Sequence, residues 1–198
     1  MSRRQRYLAI VFVVVFVAGG GYAVSRIFGN SGGVPKDFTD ARLQGAIISQ
    51  NIVNLSNQSV SDLEKINQYD AQGDFTDALN LTTQVIKQSQ DIRDQAVQLS
   101  AEVETMTKSL SDISSIEARQ AALESISTRL ALISRLLNYS GYLGQLLEAL
   151  QNHFAGKPQS GAQVKALVDQ INSEVNAINN FNTQAGQSMD RFDKIIAQ

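Results

Sequence analysis

The chain of 198 residues has no cysteine and no tryptophan, a single histidine (His153) and two prolines (Pro35 and Pro158). Without cysteine there is no disulfide, no thiolate nucleophile or thiolate metal site, and no lipidated N-terminal Cys, and the redox compartment stays open. One histidine excludes the paired Glu-x-x-His ligands of a di-iron bundle. No strand–turn–helix nucleophile elbow offers it a serine partner. No metal, cofactor or catalytic residue is assigned. Neither Gly nor Pro occurs between Asp74 and Tyr139, so nothing there breaks a long helix. Charged residues are only 18% of the chain, below the usual ~25%, and Gln, Asn and Ser stand in their place. All 19 acidic residues lie after Lys36, while four of the 17 basic residues (Arg3, Arg4, Arg6, Arg26) belong to the first 26 residues. Residues 27–198 therefore carry 13 basic against 19 acidic groups, a net charge of −6. With that balance and no basic stripe, nucleic acid is excluded as a partner.

What is present begins at the N-terminus. Arg3, Arg4 and Arg6 precede an apolar run over residues 7–24, and Arg26 closes it. Roughly 18 residues make about 27 Å of helix, close to the ~30 Å hydrocarbon core of a bilayer. This predicts a transmembrane anchor within residues 1–26, its N-terminus cytoplasmic and the bulk of the chain outside. The competing reading is a signal peptide with an apolar core at Leu8–Ala18 and small residues at Gly21 and Ala23, whose cleavage would release a secreted protein. Residues 27–36 are glycine-rich, end beside Pro35, and read as a flexible linker. No second apolar segment of spanning length follows, so the expectation is a single-pass protein of a cell envelope, bacterial by its short arginine-led anchor.

Residues 37–198 show apolar positions spaced alternately three and four apart. In one segment they are Phe75, Ala78, Thr82, Val85, Ser89, Ile92, Ala96, Leu99, Val103, Met106, Leu110 and Ile113, a 3.5-residue period over more than five heptads. A second stripe is Ile48, Ile52, Leu55, Leu63, Ile66 and Tyr69. A third is Leu123, Ile126, Leu130, Ile133, Leu137 and Leu147. The last runs from Val164 through Val168, Ile171, Val175, Ile178, Ala185, Met189 and Phe192 to Ile196. Nothing reads as a run of strands.

Caps and breakers divide these stripes. Asp37 can cap a first helix of about 38–69; Gly73 can end it in the left-handed conformation, and Asp74 can cap a second over 75–108. Ser114-Ser115-Ile116-Glu117 reads as a capping box, and the heptad phase slips by one residue between Ile113 and Ile116. Together these predict a turn around 108–114, with a continuous stammering helix as the alternative. A third helix then covers 115–154. After Gly156-Lys157-Pro158, Ser160-Gly161-Ala162-Gln163 is a capping box opening a fourth helix over 161–197. Near-equal lengths and short connections predict an all-α fold: an antiparallel up-down-up-down four-helix bundle of long, coiled-coil-like helices behind the membrane helix. The turn at 70–74 and the loop at 155–160 would share the tip far from the membrane.

Tyr69-Asp70-Ala71-Gln72-Gly73-Asp74-Phe75-Thr76-Asp77-Ala78-Leu79 resembles the helix–turn–helix of a tetratricopeptide repeat. The resemblance implies aromatics packed across the turn and a Gly closing the first helix; it covers about ten residues and no 34-residue repeat follows. The acids Asp70, Asp74 and Asp77 lack the order of a calcium loop. His153 reads as a C-terminal residue of helix three facing the dipole. For partner contact the candidates are the tip residues Asp70, Gln72, His153, Phe154, Lys157 and Pro158. Asn138-Tyr139-Ser140-Gly141-Tyr142-Leu143-Gly144 places two glycines inside a helix, each costing roughly 1 kcal/mol relative to Ala. Close helix packing or a small pocket at Tyr139, Gly141, Tyr142 and Gly144 would account for them. The functional expectation is a non-enzymatic, membrane-anchored extracytoplasmic interaction module, binding another envelope protein or itself. The alternative is a small-molecule-sensing or ligand-carrying bundle with a separate signalling partner, which resembles in architecture the four-helix extracytoplasmic sensor domains of bacterial chemoreceptors.

Overall fold

A computed structural model describes residues 33–198; the expected membrane helix, the signal-peptide alternative and most of the linker lie outside the described residues. Those residues form four long helices and no strand: α1 (Lys36–Gln72), α2 (Phe75–Lys108), α3 (Ile116–Phe154) and α4 (Gly161–Ile196), with a 3-10 turn (Ser109–Asp112) between α2 and α3. At 34–39 residues each, the helices are about 51–59 Å long. None is apolar enough to cross a membrane.

The ends follow local chemistry. Gly73 takes φ 79° and its N–H bonds to the Asp70 carbonyl, closing α1. The side chain of Asp74 accepts from the Asp77 N–H at 3.3 Å and Ser160 from the Gln163 N–H at 3.4 Å, so both cap as their positions suggest. Two caps differ from expectation. Helix α1 starts at Lys36 behind Pro35, without a side-chain cap. The Pro35 carbonyl accepts the Thr39 N–H and its hydroxyl, while Asp37 sits inside the first turn where its charge still meets the helix dipole. At α3 the cap is Ser115, accepting from the Ala118 N–H at 3.2 Å. Ser115 Oγ also bonds Glu117 at 3.1 Å, so a Ser114–Glu117 box is not formed. Ile113, fully buried, pins the turn between them, and its carbonyl takes two bonds from the Arg119 guanidinium.

Helix α2 packs between α1 and α3, and α3 packs between α2 and α4. Polar contacts fix opposed chain directions: Ser59 with Gln88 for α1 and α2, Ser89 with Ser140 for α2 and α3, and Ser125 with the Ala185 carbonyl for α3 and α4. Helices α1 and α4 close the bundle at its base, where the Phe38 and Phe192 rings lie 5.3 Å apart.

The α2 seam is buried from Ala78 to Met106, and the α4 seam from Val168 to Phe192. The α3 stripe is where sequence and structure part. Ile126, Ile133 and Leu147 are buried, yet Leu123, Leu130 and Leu137 face solvent at 50%, 49% and 37% exposure. Because α3 is gripped from both sides, its buried face is centred instead on a line through Ala122, Ile126, Ile133, Leu136, Ser140, Leu143 and Leu147. The expected row of leucines lies one step round the helix from that line.

The turn after α2 depends on one side chain. Ile113→Ala should lower stability by about 2–5 kcal/mol by opening a cavity. Urea titration should show the midpoint fall with an unchanged slope.

Candidate functional site

The tip is assembled from two distant hairpins. His153, in the last turn of α3, places Nε2 3.1 Å from Asp70 Oδ1 in the last turn of α1. Phe75, the first residue of α2, stands edge-on to the His153 ring at 6.4 Å and stacks on Phe154 at 6.2 Å. His153 and Phe154 also meet each other at 5.3 Å. Asp70, His153 and Phe154 are therefore one half-buried cluster tying the 70–74 turn to the end of α3. Lys157 donates to the Asn152 side chain at 3.1 Å from an exposed position, and Gln72 and Pro158 are exposed beside it. The sequence signal for His153 was its helix-terminal position; its cross-tip bond to Asp70 had none. Phe75, 38% exposed, belongs to the set and was read as core because it falls on the α2 period.

The tyrosine–glycine stretch has a different geometry from the one its composition suggests. Tyr139 is fully buried, and burial pushes its phenol well above the ordinary range, with Ser56 of α1 opposing the rise. Tyr142 is partly buried against the core. A Cβ added to Gly141 or Gly144 would meet nothing within 4 Å, so neither glycine marks a close helix approach within this chain. Just before this stretch α3 meets α4: Arg135 and Asn138 both reach Glu174, each at 3.4 Å.

A small cleft lies about one turn below Tyr139, towards the base. Ser49, Ile52 and Val53 of α1, Leu132 and Leu136 of α3, and Ile178, Asn179 and Asn182 of α4 line it, around only about 30 Å³. That is room for about one water. One turn towards the base stands Arg129, whose side chain leans to the N-terminal end of α3. Its Nε is sealed from solvent without a hydrogen-bond partner, although the side chain as a whole is partly exposed. Below it, buried Arg42 makes a two-pronged ion pair with Asp193 at 2.6 and 2.7 Å. Burial first, and then repulsion from Arg42, bring the Arg129 guanidinium down to about 10. The cluster was invisible in the sequence because its three charges come from α1, α3 and α4.

Asp62 forms a further buried polar group, accepting from Gln88 at 2.9 Å, Gln84 at 3.2 Å and Lys65 at 3.1 Å. Both carboxylate oxygens there are engaged by structural donors. Among the described residues no three His, Cys, Asp or Glu side chains gather to hold a metal ion. No family model, no curated protein and no solved structure matches the chain.

The arginine pair makes opposed changes informative. A base whose pKa falls on folding is penalised in its charged form; the cost is complete at neutral pH and is relieved only as pH climbs past about 10 towards the ordinary arginine range. Arg129→Met should therefore raise stability at pH 7 by on the order of 1 kcal/mol. Asp193→Ala, which leaves the buried Arg42 guanidinium without its carboxylate, should lower it by about 3 kcal/mol. Thermal unfolding of the two variants would check that the shifts have opposite signs.

Proposed function

We propose that this chain is a membrane-anchored, extracytoplasmic interaction protein of a cell envelope, acting as a rigid spacer without catalysis. Its anchor is residues 7–24, its N-terminus is cytoplasmic, and its partner is another envelope protein met at the distal tip. The observation that carries this reading is the tip itself. Two hairpin ends more than 80 residues apart in sequence are locked by the His153–Asp70 bond and the Phe75–Phe154 stack. Gln72, Lys157 and Pro158 are presented around that lock at the end of a rod about 50 Å long. A tip fixed in this way offers a surface whose side chains are already ordered, which lowers the entropy lost on binding. The arginine-flanked apolar run supports the anchor, and the glycine-rich residues before Pro35 support free orientation of the rod.

The ligand-carrying alternative draws on one observation, the Ile52–Leu132–Ile178 cleft above a buried guanidinium. In that reading the ligand would sit about one turn below Tyr139, and the cleft would need to open. A rise in unfolding temperature with a small carboxylate library, lost in Arg129→Met, would favour it.

The tip reading is tested by crosslinking in intact membranes of the source cells. Phe154→Ala, Lys157→Glu and Gln72→Ala should each reduce capture of the same partner several-fold, with circular dichroism unchanged. Equal capture by all three would remove the tip from consideration.

A further inference from the structure

Helix α3 carries an apolar row that its own bundle does not use. Ile116, Leu123, Leu130 and Leu137 are spaced by seven residues and are 72%, 50%, 49% and 37% exposed. Position 144, the next in the row, is Gly. Four residues on from each leucine runs a second row of small exposed side chains: Ser127, Ser134 and Gly141. A leucine row beside a small-residue row is one face of a helix pair, because knobs on one helix need low ground on the other. The glycines reinforce this. Each weakens a mid-helix position by roughly 1 kcal/mol, and a Cβ on either meets nothing inside the chain. Helix α3 is continuous through both, so they serve neither a break nor an internal contact.

We infer that this face of α3 is a self-association surface, on which a second copy of the chain lays its own α3 antiparallel. With a two-fold axis beside residue 132, the fit is large against small from residue 123 to residue 141. Leu123 lies opposite Gly141 of the second copy, Leu130 opposite Ser134, and Leu137 opposite Ser127. A two-fold contact repeats each of these pairs on the other side. A parallel pairing sets leucine against leucine at one end and glycine against glycine at the other, which cannot close evenly.

Charge and area agree with this occupant. Of the ionic residues bordering the rows, Glu124 pairs with Arg191, Arg135 with Glu174, and Arg119 with the Ile113 carbonyl, while Glu148, at the end of the small-residue row, is exposed and falls opposite Ile116 of the second copy. Two like faces therefore meet without like-charge repulsion. The four row residues expose on the order of 400 Å² of apolar surface per copy, as large as the main patch of a typical monomer. Two copies bury about 800 Å² from the rows alone. The open groove beside Leu123, bordered by Gln120, Thr128, Gln184 and Gln187, adds polar rim on both sides. The contact is therefore at the low end of interface sizes, below about 1,200 Å², as suits a reversible pair. The surface lies on the side of the rod, clear of the tip residues; because the pairing is antiparallel, the two bases lie at opposite ends, so paired copies are anchored in facing membranes or lie flat along one.

The test uses the full chain in mild detergent, with mass measured by light scattering through the micromolar range. A dimer is expected. Leu123→Glu with Leu130→Glu should weaken it at least ~100-fold, since a carboxylate would be buried unpaired. Gly141→Leu should do the same while leaving helicity intact and the unfolding midpoint of the monomer equal or higher, because the space it fills is empty in the single copy. The chain has no native cysteine, so disulfide mapping is clean. A mixture of Ser127→Cys and Leu137→Cys chains should crosslink between the two types far more than either type with itself. A monomer at every concentration, a dimer indifferent to the glutamates (one held through the N-terminal segment behaves so), or self-crosslinking as efficient as the mixture would each overturn the inference.

Discussion

Ile92, Leu99, Val103 and Met106 of α2 are each at most 1% exposed, and the position of every other helix depends on how that seam is covered. A helix of more than thirty residues with few charge pairs and weak propensity, rich in Ser, Thr, Asn and Gln, does not persist alone in water. Covering the α2 seam from both sides stabilises it, and the two covering helices are those the chain's hairpins deliver. Helix α1 arrives through a turn closed by Gly73 and opened by Asp74. Helix α3 arrives through the 3-10 turn, whose buried Ile113 continues the α2 row past the end of the helix. Helix α4 then needs only the remaining side of α3, and its ring contact with Phe38 closes the base.

Apolar stripes this regular would tolerate sliding by a heptad, because each layer resembles the next. The buried polar groups remove that freedom. Gln88 of α2 is held between Ser59 and Asp62 of α1, donating to the carboxylate and accepting from the hydroxyl. Ser89 and Ser140 join α2 to α3, each hydroxyl bonding the other residue's carbonyl. Ser125 bonds the Ala185 carbonyl, and Arg42 grips Asp193 across the base. A slip of seven residues would leave each of these donors and acceptors buried without a partner, at about 1–3 kcal/mol apiece. The polar layers thus select one register from several that the hydrophobic pattern alone permits.

This division explains what was legible in the sequence. Periodicity, the left-handed Gly73 and the caps at Asp74 and Ser160 are local signals, and they placed four helices to within a few residues. Contacts across the seam are not local. The Asp70–His153 bond joins residues 83 apart, and the Arg42–Arg129–Asp193 cluster needs three helices at once. The α3 leucines were misplaced for a related reason. A three-four alternation gives the width of an apolar face but not which edge of it points inward when both edges are apolar. Leu136 and Leu143 on one side and Leu123 and Leu130 on the other satisfy the same pattern. Only the grip of α2 and α4 decides between them.

That ambiguity has a physical meaning for α3. A helix that must meet two neighbours inside one bundle needs a wide apolar face, and on α3 that need is met by the line from Ala122 to Leu147. The leucines beyond it add nothing to the monomer's core, and at about half exposure they raise the tendency to associate. Random surplus would not keep a seven-residue spacing over three turns of the pattern, nor set Ser127, Ser134 and Gly141 at a constant four-residue offset. The tip offers a contrasting case: its aromatics Phe75 and Phe154 stack on each other and its acid bonds a histidine, so its apolar atoms are largely spent within the chain. Two surfaces of one rod therefore differ in kind. The tip is polar and internally locked, suited to specific contact over a small area, whereas the α3 side is apolar, repetitive and self-complementary.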